Sequence, residues 1–178
     1  MFGLKREKSP LLRSAESLHA WAVRAARARA LYETMGVPDT IDGRFELLTL
    51  HVLLLLDRLQ STDAAMIDLR QFLFDVYLSD LDGAMREMGV SDLAMGKRMR
   101  KLGQAIYGRA KAYDVAFLAL PDHGELAALL KRTVLGGMRD ASAEALTMYV
   151  LERRDALRSC ENGALRAGAV DSDAKRVG

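Results

Sequence analysis

An all-α fold is what this sequence predicts, and three observations point to it. Of the 178 residues half are apolar but only 6% aromatic, with Ala, Leu, Met and Arg abundant. Unbranched side chains of that kind lose little rotamer freedom in a helix. Only three prolines interrupt the chain, and apolar residues recur at three- and four-residue steps between breaks marked by Gly, Pro or Asp. Short connections between long helices make neighbours antiparallel, so the expected architecture is a compact bundle of about six helices. Its limits are a flexible N-terminus over residues 1–13, a helical domain over 14–160 and a disordered tail over 161–178, where Gly, Ala and charge replace periodicity.

The first helix is expected from Ser14 to Met35, with Leu18, Trp21, Ala25, Ala28, Tyr32 and Met35 on one stripe, Gly36 as its cap and Pro38 preventing continuation. Asp42 is the expected N-cap of a second helix running to Gln60. That helix is apolar nearly all round, from Leu47 through Leu56 to Leu59, the pattern of a buried bundle centre. A third follows Asp63 and ends at Met88 and Gly89, its inner stripe reading Leu69, Leu73, Val76, Asp80 or Leu81, Ala84 and Met88. Asp68, Asp75 and Asp82, seven residues apart, place an acidic line along one of its sides. Asp92 is expected to cap a fourth helix with a stripe of Met95, Met99, Leu102, Ile106, Tyr113 and Phe117. A fifth covers Gly124 to Leu135, closed by Gly136 and Gly137, and a sixth Ser142 to Cys160.

Composition narrows the function. A formal charge of +2 does not by itself announce a nucleic-acid binder. Cys160 is the only cysteine, so no intramolecular disulfide forms. Residues 1–10 lack the apolar stretch of a secretory signal, and the apolar run from Leu47 to Leu56 is about half the ~20 residues a bilayer requires. The expected location is cytoplasmic or peripheral on the inner membrane, with Trp21 and the Arg-rich first helix available for surface contact.

His19, His51 and His123 are scattered without a second ligand at i+3 or i+4, so no metal and no cofactor are expected. His51, inside the apolar helix, reads as a core histidine with a hydrogen-bond partner. No nucleophile motif or phosphate loop stands out, so neither an enzyme nor a small-molecule substrate is expected. Met85, Met88, Met95 and Met99 read as core, and Gly103 and Gly108 as points of close helix approach. The acidic set Asp75, Asp80, Asp82 and Glu87 and the basic set Lys97, Arg98, Arg100, Lys101, Arg109 and Lys111 are either solvated faces or docking surfaces.

Three stretches are not accounted for by helix formation alone. They are Val37-Pro38-Asp39-Thr40-Ile41-Asp42-Gly43-Arg44-Phe45 leading into Leu47-Leu48-Thr49-Leu50-His51, then Glu87-Met88-Gly89-Val90-Ser91-Asp92-Leu93, then Tyr107-Gly108-Arg109 followed by Tyr113. In this order and spacing the chain resembles the ubiquinol–cytochrome c chaperone family, strongly over residues 31–117. The resemblance implies a non-enzymatic assembly factor that binds nascent or haem-free cytochrome b and promotes assembly of the ubiquinol–cytochrome c reductase complex. Mitochondrial relatives work with a small partner subunit and the ribosome. No mitochondrial presequence is recognisable in these residues, and a length of 178 suits the shorter bacterial members, so a bacterial-type member is expected.

Carried over by the resemblance as interaction candidates are Asp75, Asp80, Asp82, Arg86, Gly89, Asp92, Leu93, Tyr107, Arg109 and Tyr113, with Gly89 and Asp92 open to a purely structural reading as a helix-cap pair. Lys97 and Lys101 join them from the basic face. The rival reading is a small helical adaptor that binds the ribosome or RNA through that face.

Overall fold

The computed structural model describes residues 9–138 and 143–170, and among them the secondary structure is helical without a strand. The elements are α1 (Pro10–Ala26), α2 (Arg29–Glu33), α3 (Ile41–Arg58), α4 (Ala64–Glu87), α5 (Asp92–Leu118), α6 (Gly124–Arg132), α7 (Glu144–Ser159) and α8 (Asn162–Arg166). The six longer helices correspond to the expected ones; α2 is the far end of the expected first helix, split from α1, and α8 is an added single-turn piece.

α3 is the centre. Leu47, Leu50, Val52, Leu54 and Leu55 are at most 1% exposed and point to different sides of the helix, so neighbours must close round it. α1 and α4 cover one side and α7 the other; α6 bridges α7 to the C-terminal half of α5. The two polar side chains inside α3 are both satisfied. Thr49 Oγ1 donates to the Phe45 carbonyl at 2.7 Å and accepts from the Tyr77 hydroxyl at 2.6 Å. His51 is bonded at both ring nitrogens, to the Leu47 carbonyl and to the Tyr149 hydroxyl, each at 2.7 Å, as a core histidine must be.

Arginines tie helix ends to this centre. Arg58 donates to the Leu157 and Cys160 carbonyls and to Asn162, satisfying the C-terminal turn of α7. Arg70 does the same for α3 through the Leu56 carbonyl at 3.1 Å. Arg154 meets Asp57 at 2.9 Å while its guanidinium lies 4.1 Å over the Phe117 ring.

α6 stops at Arg132, short of the expected Leu135, where the chain passes into turns; four other limits differ from expectation, each for a local reason. α1 starts earlier, because Ser9 caps it through Leu12 N–H and Pro10 occupies the first turn. The first helix also breaks at Arg27 and Ala28, where the Tyr32 hydroxyl takes up the Ala26 carbonyl at 2.8 Å and Leu31 turns fully inward. The cap of α3 is Thr40, whose Oγ1 accepts from Gly43 N–H at 3.1 Å; Asp42 instead lies in the first turn. Asp92 is the first residue of α5 and its carboxylate accepts from Arg86 at 2.6 Å, leaving Ser91 at the cap position without a side-chain bond. Asp63 caps α4 as expected, accepting from Ala65 and Met66 N–H.

The helical body also continues past Cys160, where composition alone predicts no structure. α8 folds back so that Leu165 is fully buried and Ser14 Oγ donates to the Arg166 carbonyl at 2.6 Å. Gly168 closes it at φ +76°, and a Cβ there would sit 2.8 Å from the Ser17 Cβ. The remainder of the expected tail, 171–178, and residues 1–8 lie outside the described residues. Gly168→Ala therefore combines left-handed strain with a clash, and about 1–3 kcal/mol of stability should be lost. Urea unfolding followed by circular dichroism measures it; an unchanged midpoint would mean that α8 is not part of the cooperative unit.

Candidate functional site

The first of the three unusual stretches builds a tight junction between α2 and α3. Val37 is buried at 3% exposure, Thr40 N–H donates to the Pro38 carbonyl at 2.9 Å, and Arg44 N–H donates to the Thr40 carbonyl. A Cβ at Gly43 would run into the Pro38 carbonyl oxygen, so only glycine lets the chain fold back this closely. Outside the junction Arg44 Nε meets Asp39 at 2.6 Å. The hydrogen bond from Arg44 holds the Asp39 carboxyl below its ordinary pKa, and Asp39 in turn raises that of the guanidinium.

The second stretch is the turn from α4 to α5. Gly89, at φ +82°, closes α4 with its N–H on the Arg86 carbonyl and Val90 N–H on the Met85 carbonyl, the paired bonds of a left-handed helix cap. Arg86 pins the turn from outside, 2.7 Å from Asp82 and 2.6 Å from Asp92. The third stretch fastens α5 to α3: Arg109 grips Glu46 through two bonds of 2.6 and 2.9 Å, with Glu46 12% exposed. Tyr113 is buried and stacked on Phe117, ring centres 5.9 Å apart.

Between these anchors lies a groove of about 1260 Å³. Its floor is apolar: Phe45 and Leu48 of α3, Leu81, Ala84 and Met85 of α4, Val23 of α1 and Leu102 of α5. Ile41 and Met88 stand at its margin, 70% and 58% exposed. The groove exists because the apolar stripe of α4 runs on to Met88, whereas α1 ends at Ala26 and α5 touches α4 only sparsely. Met88 is thus not a core residue, and Met85 is half-buried in the floor; Met95 alone of the four methionines is fully core. Around the rim stand Arg27, Arg29 and Arg44 among Glu33, Asp39, Asp42 and Asp80.

Of the interaction candidates only Asp80 lines this groove, 3.6 Å from the buried Nε2 of His19, which has no hydrogen-bond partner. Burial lowers the pKa of His19, partly offset by the Asp80 carboxylate. Asp75 and Asp82 follow Asp68 along a different side of α4, Asp75 accepting from Gln71 at 2.8 Å and Asp82 held by Arg86. Leu93 is 99% and Tyr107 73% exposed, and Lys97 and Lys101 are exposed on the same helix. Tyr113 does not reach the surface, and Arg109 is engaged by Glu46, so both act within the fold. Gly103 and Gly108 face open space rather than a close helix neighbour. Among the described residues no three His, Cys, Asp or Glu side chains are grouped to hold a metal, and no helix is long and apolar enough to cross a membrane.

Sequence reasoning did not bring the floor residues together. The available signal was the length of the α4 stripe, which runs past the break in the first helix.

A family model described as Ubiquinol-cytochrome C chaperone matches residues 33–172. Among solved structures the chain is similar to the crystal structure of the Cbp3 homolog from Brucella abortus, at 36% sequence identity and a TM-score of 0.83, over 93% of this chain and 92% of that one. Comparison with curated proteins gives no match.

Proposed function

The chain belongs to the ubiquinol–cytochrome c chaperone family, and from that premise we propose that it holds newly made, haem-free cytochrome b by an apolar segment laid in the groove between α1, α3 and α4. The observation that carries this reading is convergence. The first stretch supplies Val37, Ile41, Arg44, Phe45 and Leu48 to the groove and the second supplies Met88, so two regions far apart in sequence, Val37 to Leu48 and Met88, serve one concavity.

The physical need is clear. Spanning helices of a membrane protein cannot remain in water with their apolar faces bare. A volume of 1260 Å³ corresponds to two or three turns of a helix about 10 Å across, which suits packing of one amphipathic or apolar segment by its face. The rim carboxylates Asp42 and Asp80, which no rim arginine holds as Arg44 holds Asp39, suit the Lys- and Arg-rich loops that flank spanning segments on the cytoplasmic side. Exposed Asp75 and half-buried Asp82, the latter shared with Arg86, offer a second contact for the same loops. In this reading the chain acts by binding, without catalysis, on the cytoplasmic face of the inner membrane where its client emerges. A small partner subunit or the ribosome would then engage surfaces other than the groove.

The test is crosslinking capture by the tagged chain from its native cells, with cytochrome b peptides quantified against other membrane proteins. Cytochrome b should be enriched. The double variant Ile41→Asp, Met88→Asp should cut that enrichment at least tenfold, since each apolar side chain buried in a complex is worth about 1.5–3 kcal/mol. Both positions are exposed, so the melting curve should not move. Charge reversal of Asp75 and Asp82 should give a smaller loss. Undiminished capture by the Ile41, Met88 variant would remove the groove from the account, and undiminished capture by the reversed pair would remove the acidic line.

A further inference from the structure

The N-terminal half of α5 is the least covered long element of the fold, with Met95 its one buried residue before Ile106. From Leu93 to Tyr113 the chain contains no acidic residue. Five cations in that span, Lys97, Arg98, Arg100, Lys101 and Lys111, are exposed, and among the described residues none is ion-paired; Arg109 alone is spoken for, by Glu46. On a helix, Lys97, Lys101 and Lys111 fall on one side with Arg98 and Arg100 flanking it. Leu93 stands at the start of the same side, 99% exposed, and Tyr107 stands beside Arg100, 73% exposed. Gly108, on the cationic side, meets nothing within 4 Å, so the backbone itself is open to close approach there.

We propose that this face of α5 is a docking surface for an anionic lipid bilayer. The cations form a straight row about 20 Å long from Lys97 to Lys111, at 1.5 Å per residue, which tiles a plane of headgroups. Exposed Leu93 and Tyr107 are the side chains an interfacial helix inserts, Leu below the headgroups and Tyr at their level. A nucleic-acid partner would call instead for a platform of stacking aromatics among the cations, and Tyr107 is the single aromatic on the exposed face. Such docking holds the chain at a membrane without a spanning helix, and it does not depend on which client the groove takes.

The experiment is co-sedimentation of the purified full chain with vesicles of phosphatidylcholine alone and with about one-third phosphatidylglycerol, at about 0.1 M salt. Binding is expected to the anionic vesicles only, and to disappear at about 0.5 M salt. Neutralising four cations together (Lys97→Gln, Arg98→Gln, Lys101→Gln, Lys111→Gln) should weaken it more than a hundredfold, since each surface-proximal cation contributes about fivefold. Leu93→Ser should weaken it by a smaller factor that stays the same at about 0.1 and about 0.2 M salt, where binding is still measurable. All these side chains are exposed, so circular-dichroism melts should coincide with that of the parent. No sedimentation with anionic vesicles, or equal sedimentation of the neutralised variant, would overturn the proposal. Salt-sensitive retention of RNA by the parent without vesicle binding would overturn it in favour of a nucleic-acid surface.

Discussion

Leu54→Asp should leave the chain without a native fold. Leu54 is 1% exposed in the C-terminal third of α3, the helix that α1, α4 and α7 all pack against. Loss of the leucine alone costs about 2–5 kcal/mol through lost burial and the cavity it leaves. Placing a carboxylate there adds several kcal/mol more, because the side chain lies within the apolar core and the cation one turn on, Arg58, is already engaged by the Leu157 and Cys160 carbonyls. The sum is comparable to the roughly 5–15 kcal/mol that holds a domain of this size together. Near-ultraviolet circular dichroism and a thermal scan check it: the variant should show no cooperative transition. Leu54→Met, which keeps volume and polarity, should cost under about 1.5 kcal/mol and separates a packing effect from a general intolerance at the position. A soluble, cooperatively melting aspartate variant would show that α3 is not the centre of the bundle.

That central placement was legible because α3 carries its evidence in its own residues. A helix apolar on every side has only one stable place in a domain. The same holds for Asp63, a cap whose acceptor and donors lie within three residues of one another. What was not legible depended on neighbours. Asp42 and Thr40 are both good caps by composition. The choice falls to Thr40 because Pro38 and Gly43 bring the junction back on itself, a distance set by packing and not by the pattern.

α8 looks like tail in sequence, since five residues with one leucine carry no periodic signal; it is ordered by what Leu165 and Gly168 meet on α1 and α4. The groove was hidden for a related reason. The stripe from Leu69 to Met88 is continuous in sequence, so the place where cover stops cannot be read from α4. It is set by where α1 ends and by the sparse contact with α5. The three stretches that carry the family resemblance divide along the same line. Gly43, Gly89, Arg109 and Tyr113 are explained by the fold itself, whereas Ile41, Met88 and Leu93 are exposed apolar side chains that the fold does not use.

The second large effect is a loss of stability on mild acidification that passes through His51. Its Nδ1–H donates to the Leu47 carbonyl, which leaves Nε2 to accept from the Tyr149 hydroxyl. This is the neutral ring, and full burial pushes its pKa from 6.5 to about 4, the Leu47 bond opposing and the nearby Arg153 cation assisting. The folded value lies below the unfolded one, so the unfolded chain takes up a proton between pH 6.5 and 4 that the native chain refuses. Stability from this group is complete above pH 6.5 and falls progressively towards pH 4, by about 3 kcal/mol at 1.36 kcal/mol per unit. Burial lowers the pKa of His19 as well, so it adds to the loss in the same direction, and the parent curve alone does not isolate His51. The difference between the parent and His51→Gln does, since groups common to both cancel. At pH 7.5 the glutamine variant should be less stable, having lost a fitted pair of hydrogen bonds. As the pH falls to 4.5 the gap in urea unfolding free energy should close by about 2–3 kcal/mol. A gap that stays constant would place the ring in contact with water or with an acidic partner, and the bonded, dry core around α3 and α7 would have to be redrawn.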